Sequence, residues 1–357
     1  MRALVLVGGQ GTRLRPLTYD IPKPMLPVAG RPIIARILEW LGRHGVCEAT
    51  LSLGYLPQPF LDTFPSGEVA GVRLRYAVES EPLDTAGAIR YAAAQSAMSD
   101  ERIVVVNGDI LTDLDLGALI AFHEARGACA SIALTPVEDP SAYGVVDKAA
   151  DGEVLAFIEK PAPGAEPTNL INAGTYVLEP EALAMIAPEG RVSIERETFP
   201  QLVAAGRLYA MESDAYWIDT GTPERYRQAQ LDVLRGLRPD VVVPDATELR
   251  PGLFLGEGAQ LLGEAAGEVL LGAGALVEKG ASVTDSTIGE RVVVASGATV
   301  RDAVVLADAE IAKGAVVEAA VIGPGALVGA GALVSGAIIG HGATVEPGAE
   351  LRGDPPS

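Results

Sequence analysis

The chain has 357 residues, 48% of them hydrophobic, and a formal net charge of −20 at pH 7. The hydrophobic share excludes general disorder, and no uncharged apolar run approaches the roughly 20 residues that span a bilayer. Acidic residues outnumber basic ones both up to residue 250 (34 to 22) and beyond it (13 to 5). This even acidity argues against binding to nucleic acid or to a membrane, because both partners require clustered positive charge.

Cysteine usage and the N-terminal residues bear on the compartment. Cys47 and Cys129 are too few for a disulfide framework. The first apolar stretch ends in a glycine loop rather than in a cleavage site. We therefore expect a reducing, cytoplasmic location.

Strand-like and helix-like segments alternate through residues 1–236. Short apolar runs predict buried strands, and longer runs with one apolar face predict helices. The strands are expected at 3–7, 49–53 and 102–107, and the helices at 32–43, 84–97 and 116–126. This order predicts an α/β fold with a Rossmann-like, mostly parallel sheet and helices on both faces. Ligands of such sheets bind at the carboxyl ends of strands, which brings the loops at 8–13 and 107–109 to one site.

A glycine-rich loop, residues 8–13 (GGQGTR), directly follows the first strand. Glycines let backbone N–H groups approach a phosphate closely, and a cation can then neutralise it. The loop lacks the ending of a Walker A motif, and Leu14 stands where a dinucleotide fingerprint has its third glycine. A simple tight turn is the alternative. Pro22 and Pro24 fix the backbone on both sides of Lys23 and direct this cation back towards the loop, which favours the phosphate site.

Three further positions carry charge at the ends of apolar segments. Asp109 follows the third predicted strand, and Asp219 stands in the segment WIDTGTP. Mg²⁺ prefers such carboxylates together with phosphate oxygens, although each aspartate alone also fits a turn or a helix cap. Lys160, in FIEKP, fits either a ligand site or a solvated turn. The three histidines show no ligand spacing, so we expect no zinc site.

Apolar residues beyond about position 240 fall into three columns with a spacing of 17. Within one turn the steps are six, six and five residues, which predicts a parallel β-helix with three short strands per turn. The five-residue step predicts a tighter corner. The turn at 254–266 fits the columns poorly, as a terminal turn does. The columns are Leu271, Ile288, Val305, Ile322 and Ile339; Val277, Val294, Ile311, Val328 and Val345; and Val283, Val300, Val317, Val334 and Leu351.

The repeats resemble the left-handed hexapeptide-repeat helices. Three prolines in residues 238–251 predict a junction between the two halves. We expect an α/β domain at 1–237, a linker at 238–253 and a left-handed parallel β-helix at 254–357. Exposed flat strands favour self-association, so a homo-oligomer is expected.

Two motifs, LVGGQGTRLRPLT at 6–18 and PKPMLP at 22–27, resemble the signature of the sugar-1-phosphate nucleotidyltransferases. The form with Val-Gly-Gly and Arg-Pro-Leu-Thr is most similar to the mannose-1-phosphate guanylyltransferase branch. The resemblance covers nearly the whole chain. It implies an enzyme that condenses GTP with mannose 1-phosphate to GDP-mannose and pyrophosphate, with Mg²⁺ as cofactor.

The resemblance also implies roles for residues that match the family motifs. Catalysis would fall to Arg13 and Lys23, and metal binding to Asp109 and Asp219. The triphosphate would be held by Gly8, Gly9, Gly11, Thr12 and Arg13. The sugar phosphate would be bound by Gly144, Glu159, Lys160 and Asn172. Residues 193–200 (SIERETFP) serve as a family marker, with Ser193 expected to cap a helix.

The segment at 81–88 (EPLDTAGA) would contact the base in such a family member. Gly87 would allow close approach, and Asn107 and Glu79 are further candidates for base or ribose contacts. Relatives commonly have glycine where this chain has Asp84, which leaves the base open. Asp84 either accepts from guanine or caps the helix, and Thr85 is the other candidate cap.

Other functions compete with this interpretation. The first is a thymidylyl- or uridylyltransferase acting on glucose 1-phosphate. The second is a non-catalytic regulatory relative, although such a protein would be expected to lose some of the site residues. The third is an added acyltransferase activity, because hexapeptide helices host such enzymes, but the repeats hold only His341 for that chemistry.

Overall fold

The computed structural model describes residues 1–54, 56–238, 241–243 and 245–353. The chain divides into two compact units, Met1–Gly9 with Ile34–Trp217 and Gln10–Ile33 with Ile218–Ser357. Part of the predicted linker, positions 239, 240 and 244, lies outside the described residues. The predicted domain boundaries stay a prediction. None of the helices in the described ranges has the length and hydrophobicity needed to cross a bilayer.

The helices and the first fourteen strands alternate along residues 1–234. The helices are α1 (Ile33–Arg43), α2 (Gln58–Thr63), α3 (Asp84–Gln95), α4 (Leu116–Arg126), α5 (Pro180–Ala184), α6 (Phe199–Ala204) and α7 (Pro223–Leu234). The strands are β1 (Arg2–Leu6), β2 (Pro27–Val28), β3 (Arg31–Pro32), β4 (Glu48–Leu53), β5 (Glu68–Val69), β6 (Val72–Val78), β7 (Ile103–Asn107), β8 (Ile110–Thr112), β9 (Ala130–Pro136), β10 (Gly144–Lys148), β11 (Val154–Glu159), β12 (Leu170–Leu178), β13 (Leu208–Glu212) and β14 (Trp217–Asp219).

The main sheet of the first unit runs in the order β11-β10-β12-β7-β1-β4-β6-β5, with β9 beside β12 and β13 beside β9. The strands β7, β1, β4 and β6 are parallel, as predicted. The later strands β10, β11 and β12 pair antiparallel, so the sheet as a whole is mixed. The strands β7, β1 and β4 are almost entirely buried, as the centre of a sheet covered on both faces requires, whereas β6 alternates buried and exposed residues.

The predicted elements of residues 1–126 are confirmed to within two residues at each end. The helix expected at 116–126 has those bounds, and the strand expected at 102–107 begins one residue later. Asp115 caps the former helix by accepting from the Ala118 N–H at 3.0 Å. Local patterning was sufficient here because each element buries one continuous apolar face.

The strands that follow belong to the repeats of the second unit. They are β15 (Ala246–Arg250), β16 (Leu253–Gly256), β17 (Gln260–Leu261), β18 (Glu264–Leu271), β19 (Leu276–Val277), β20 (Ser282–Ile288), β21 (Val293–Val294), β22 (Thr299–Arg301), β23 (Val304–Val305), β24 (Glu310–Ile311), β25 (Val316–Glu318), β26 (Val321–Ile322), β27 (Leu327–Val328), β28 (Leu333–Ser335), β29 (Ile338–Ile339), β30 (Thr344–Val345) and β31 (Glu350–Arg352).

All three predicted columns are confirmed, because each column residue pairs in parallel register with the residue 17 positions later. The first column runs from Leu271 to Ile339, the second from Val277 to Val345 and the third from Val283 to Leu351. The column side chains form one buried core, and only the last turn is partly open. The repeats therefore form a parallel β-helix.

The first turn of the β-helix also follows the columns, but with irregular spacing. Leu255 pairs with Leu271 and Leu261 pairs with Val277, both 16 residues apart, whereas Ala265 pairs with Val283 at a spacing of 18. A register shift after Ala266 accommodates the difference. The strand β15 then pairs antiparallel with β16, which covers the end of the sheet as a capping strand.

The five-residue side turns through a single residue with a left-handed backbone. Its φ is 44° at Asp285 and Asp302, 49° at Ala319 and 63° at Gly336. Side chains disfavour this region, and Asp and Gly tolerate it best. The other corners also contain a left-handed residue, but this corner is tighter, as its length predicts: two residues (302–303) connect β22 to β23, whereas four (306–309) connect β23 to β24.

Candidate active site

The parallel strands of the first unit end together, and their following loops touch. A β-carbon placed on Gly8 would lie 3.4 Å from the Gly54 nitrogen, so the loops after β1 and β4 approach closely through their backbones. The Gly108 N–H donates to the Leu6 carbonyl at 2.8 Å, and a β-carbon on Gly108 would lie 2.3 Å from Val7 Cγ1. Only glycine fits there, and this close packing fixes the position of Asp109, which is half-buried.

Glu79 follows β6 at the same edge of the sheet. Its carboxylate accepts from the Ser52 hydroxyl at 2.9 Å and from the Leu83 N–H at 3.2 Å. Burial raises the pKa of Glu79, and the negative charge of Asp84 raises it further. The two hydrogen bonds act in the opposite direction and lower this pKa. Glu79 therefore holds the turn before α3, whatever further contact it makes with a ligand.

The prediction that Asp84 or Thr85 caps α3 is wrong. The Ala86 and Gly87 N–H groups donate to the Val192 carbonyl at 2.9 and 3.1 Å, so a distant main-chain segment caps the helix. Asp84 has φ 57° and instead binds Arg191 through two hydrogen bonds of 2.8 and 3.1 Å. Because the cap comes from a segment about 107 positions away in sequence, the local pattern could not indicate it.

Thr85 binds the same distant segment through its hydroxyl group. Its oxygen accepts from the Ile194 N–H at 2.8 Å and its hydroxyl donates to Glu195 at 2.7 Å. A β-carbon on Gly87 would lie 3.3 Å from the Gly190 carbonyl oxygen, so this glycine accommodates the segment as well. Ser193 caps its helical turn by accepting from the Arg196 N–H at 3.2 Å, which confirms that prediction.

The predicted sugar-phosphate residues of β10 and β11 face each other across an antiparallel pair. Gly144 lies opposite Glu159, and a β-carbon on Gly144 would lie 2.7 Å from Phe157 Cζ and 3.0 Å from Glu159 Oε2. Glycine therefore leaves room for the carboxylate. Burial raises the pKa of Glu159, and the charge of Glu195 acts in the same direction.

Lys160 directly follows β11 and points its charge towards solvent. Its side chain is 62% exposed, and Nζ lies 3.9 Å from Glu159 Oε1. Its backbone has φ 50°, and its N–H donates to the Tyr143 carbonyl at 2.9 Å. An ammonium group held at a fixed backbone position and left accessible is suited to binding an incoming phosphate.

The Asn172 side chain is engaged within its own loop. Its Oδ1 accepts from the Gly174 N–H at 3.0 Å and its Nδ2 donates to the Tyr176 hydroxyl at 2.9 Å. Gly174, with φ 72°, lies against Asn107, because an added β-carbon would meet Asn107 Nδ2 at 2.7 Å. Asn107 thus lies beside the predicted sugar loop, and a contact with the base or ribose remains a prediction.

In the second unit, the glycine-rich loop lies against the Pro-Lys-Pro motif. Gly11 has φ 59°, and a β-carbon there would lie 3.1 Å from Lys23 Cβ and 3.1 Å from Thr18 Cγ2. The Thr18 hydroxyl donates to the Gly11 carbonyl at 2.8 Å. The prediction that the two prolines direct Lys23 back towards the loop is thereby confirmed.

Asp219 binds both predicted catalytic cations. Lys23 Nζ lies 3.1 Å from Oδ1, and the two side chains are 6% and 14% exposed. Arg13 Nη2 lies 3.9 Å from Oδ2, with 61% of its side chain exposed. A β-carbon on Gly221 would lie 2.6 Å from that Arg13 nitrogen and 2.9 Å from Asp219 Oδ1. Glycine is therefore required at position 221 to leave room for the cluster. The sequence analysis did not single out Gly221, although its position two residues after Asp219 could have indicated it.

These residues offer two kinds of ligand for a triphosphate. Gly9, Thr12 and Arg13 are exposed, so backbone N–H groups and a guanidinium are accessible to an anion. Lys23 is not a solvated surface lysine, because it is buried and ion-paired. A cation that is desolvated and held by a carboxylate is preorganised to stabilise phosphate charge.

A divalent metal would have to take part of its ligands from a substrate. The described residues contain no group of three or more His, Cys, Asp or Glu side chains that could hold a metal ion. Asp109 and Asp219 are hard oxygen donors of the kind Mg²⁺ selects, and Mg²⁺ usually binds one or two carboxylates plus phosphate oxygens. Each carboxylate is therefore chemically suited to a metal that arrives with a nucleotide.

Comparison with known families agrees with this geometry. Residues 2–236 match the family model described as nucleotidyl transferase, and the chain belongs to that family. Members of this family generally use a divalent metal ion. Residues 265–354 match a second family model, the GMPPB C-terminal domain.

Two individual relatives carry more specific names than the family model does. The chain is 38% identical over 292 residues to a mannose-1-phosphate guanylyltransferase of Mycobacterium tuberculosis, covering 80% of this chain and 77% of the relative. It is also 38% identical over 249 residues to a mannose-1-phosphate guanyltransferase of Yarrowia lipolytica, which covers 68% of both chains.

The chain is also similar to a solved structure, HddC from Yersinia pseudotuberculosis complexed with GMP-PN. The match covers 65% of this chain and 99% of that chain, with a TM-score of 0.56 and 31% sequence identity.

Proposed function

We propose that this chain condenses GTP with mannose 1-phosphate, releasing pyrophosphate and GDP-mannose. Two findings support the proposal. The chain belongs to the nucleotidyl transferase family, and it matches relatives named for this activity over more than two thirds of their length. The observation that carries it in this chain is the buried Lys23–Asp219 pair beside the glycine-rich loop. This pair supplies a fixed cation and a metal carboxylate in one place.

The proposed chemistry is an in-line displacement at the α-phosphorus. A phosphate oxygen of the sugar phosphate forms the new P–O bond, and the bond to the β-phosphate bridging oxygen breaks. Pyrophosphate leaves with the bonding electron pair. The nucleophile is already an anion, so no general base is needed, and catalysis depends on positioning and charge stabilisation.

Each group of residues has one role in this scheme. Arg13 and Lys23 would neutralise the α-phosphate and the departing pyrophosphate. Lys160 would bind the sugar 1-phosphate, and Glu159 would accept from a sugar hydroxyl. Mg²⁺, held by Asp109 and Asp219, would supply charge neutralisation along the triphosphate.

The remaining contacts with the two substrates are also part of the proposal. Gly8, Gly9, Gly11 and Thr12 would hold the triphosphate through backbone N–H groups and the threonine hydroxyl. Glu79, Asp84, Thr85, Gly87 and Asn107 would surround the base and ribose, with Gly144 and Asn172 on the sugar side.

The decisive test of substrate identity is a matrix of four nucleoside triphosphates against mannose, glucose and galactose 1-phosphates. Pyrophosphate release is scored with Mg²⁺ and after chelation. We expect the GTP and mannose 1-phosphate pair to have the highest kcat/KM and chelation to abolish it. A maximum for UTP or dTTP with glucose 1-phosphate would contradict the assignment and support the competing one. The cytoplasmic location and the homo-oligomer remain predictions.

A further inference from the structure

The segment 10–33, which carries Arg13 and Lys23, contacts the β-helix at two places within the second unit. A β-carbon placed on Gly30 would lie 3.9 Å from Leu270 Cδ2, in an early turn. A β-carbon placed on Gly340 would lie 3.3 Å from Pro16 Cγ, in a late turn. Gly340 directly follows the first-column residue that lies four turns after Leu271. Four turns correspond to about 19 Å along the β-helix, at about 4.8 Å per turn.

Gly340 occupies the same point of the repeat as three glycines of earlier turns. The equivalent glycines at 272, 289 and 323 each have the backbone of the following turn 2.7 Å from the place of a β-carbon. At Gly340, the nearest atoms among the described residues belong to the Pro16 ring, 3.3 and 3.4 Å from that place. Pro16, three residues after Arg13, thus packs directly on this turn of the β-helix.

The other end of the segment is fixed through α7. The Tyr226 hydroxyl donates to the Pro27 carbonyl at 2.6 Å, and Gln230 Nε2 donates to the same oxygen at 2.9 Å. The Ala29 N–H donates to Gln230 Oε1 at 2.6 Å. In turn, Arg227 Nε lies 3.3 Å from Asp302 Oδ1 in the β-helix. Lys23 therefore lies between two places where the chain is tied to the repeats.

We infer that the β-helix is a positioning element for the triphosphate-binding segment, and that Gly340 is a positioning residue that holds Arg13 in place through Pro16. The inference rests on the proposed function for the role of Arg13. A β-helix is a stiff support, because each turn is hydrogen-bonded to its neighbours over its length. A loop that must keep a cation in place for one phosphate benefits from such support, since small displacements cost much of the rate.

The test adds volume at Gly340 in two steps. The φ of Gly340 is not in the left-handed region, so Gly340→Ala and Gly340→Val change the contact with Pro16 and not the backbone. Ala330→Val is the matched control, because Ala330 is exposed in the preceding turn. Purified full-length variants are compared for KM of GTP, KM of mannose 1-phosphate, kcat and thermal midpoint.

We expect Gly340→Val to raise the KM of GTP about tenfold and Gly340→Ala to raise it less, because the displaced loop binds triphosphate poorly. The KM of mannose 1-phosphate and the thermal midpoint should match those of Ala330→Val. An unchanged KM of GTP overturns the inference. Equal rises in both KM values with a lower thermal midpoint also overturn it, because they indicate general destabilisation.

Amide hydrogen exchange separates this inference from the proposed function. We expect faster exchange in residues 10–19 of Gly340→Val and unchanged exchange in α4, with or without nucleotide. Unchanged exchange in residues 10–19 refutes the inference even if the wild type makes GDP-mannose. If the wild type uses no GTP, the proposed function fails and the exchange result alone decides whether the β-helix holds the segment.

Discussion

Two regions predicted to bind the nucleotide differ in how their polar groups are used. In the cluster of Arg13, Lys23 and Asp219, opposite charges face each other and one cation remains mostly exposed. At the start of α3, the N–H groups of Ala86 and Gly87 are already taken by the Val192 carbonyl. The first region therefore leaves positive charge accessible to a ligand, whereas the second is first of all a structural junction.

The largest effect is expected from removing the buried cation. We expect Lys23→Met to lower kcat/KM for GTP by about 10² to 10³, as the loss of one preorganised group at a developing charge does. Steady-state pyrophosphate release measures the effect. Lys313→Met, at an exposed corner of the β-helix, is the control and should leave kcat/KM unchanged. A loss of less than about threefold in Lys23→Met would contradict a catalytic role.

A smaller and differently distributed effect is expected at the exposed lysine. Lys160→Ala should raise the KM of mannose 1-phosphate by about tenfold with little change in the KM of GTP, because it removes a charge-assisted phosphate contact worth about 1.5 kcal/mol at an exposed position. Each KM is measured by titrating one substrate while the other is held at a saturating concentration. Lys148→Ala, whose lysine pairs with Glu212 in the same unit, is the control. An equal rise in both constants would argue against a sugar-phosphate role.

The junction at α3 should respond in stability before it responds in catalysis. Thr85→Val leaves the Ile194 N–H without its acceptor and removes one of the two hydroxyl donors to Glu195, which should cost about 1–3 kcal/mol of unfolding free energy. Urea unfolding measures this cost, and Thr85→Ser should retain most of the stability. If Thr85→Val instead keeps wild-type stability and loses GTP affinity, the hydroxyl serves the nucleotide rather than the fold.

The smallest effect is a pH dependence at Glu79. Burial raises the pKa of this carboxyl above about 4.5, so the folded state holds its proton more tightly than the unfolded state does. The resulting stabilisation is full below the unfolded pKa and is lost as pH rises through the folded pKa. The unfolding free energy of the wild type relative to Glu79→Gln should therefore fall as pH rises from about 4.5. Urea midpoints measured across this range that show no relative change would contradict the assignment.

The sequence predicts periodic and local features of this fold well. The columns from Leu271 to Ile339 and their partners follow from a 17-residue repeat in which each turn contacts only its neighbours. The first turn was harder to predict because its spacings of 16 and 18 residues break the period at a bulge. The antiparallel pairing of β12 with β7 and β9 was missed because a buried apolar strand has the same sequence pattern whichever way it runs in the sheet.

The same distinction applies to the candidate site. Lys23 was predicted to face the glycine loop because two flanking prolines constrain the backbone, and the structure confirms it. The cap of α3 was mispredicted, since Val192 lies more than 100 residues away and no local pattern signals it. The Asp84–Arg191 pair was missed for the same reason.

The proposed catalysis depends most on Lys23 and Asp219 acting as one unit on the nucleotide. A double-mutant cycle of Lys23→Met and Asp219→Asn, measured as kcat/KM for GTP with Mg²⁺, tests this directly. We predict that the double variant is little worse than the poorer single variant, with a coupling above about 1 kcal/mol, as for groups in direct contact. Additive losses within about 0.5 kcal/mol, or wild-type activity in either single variant, would contradict the central claim.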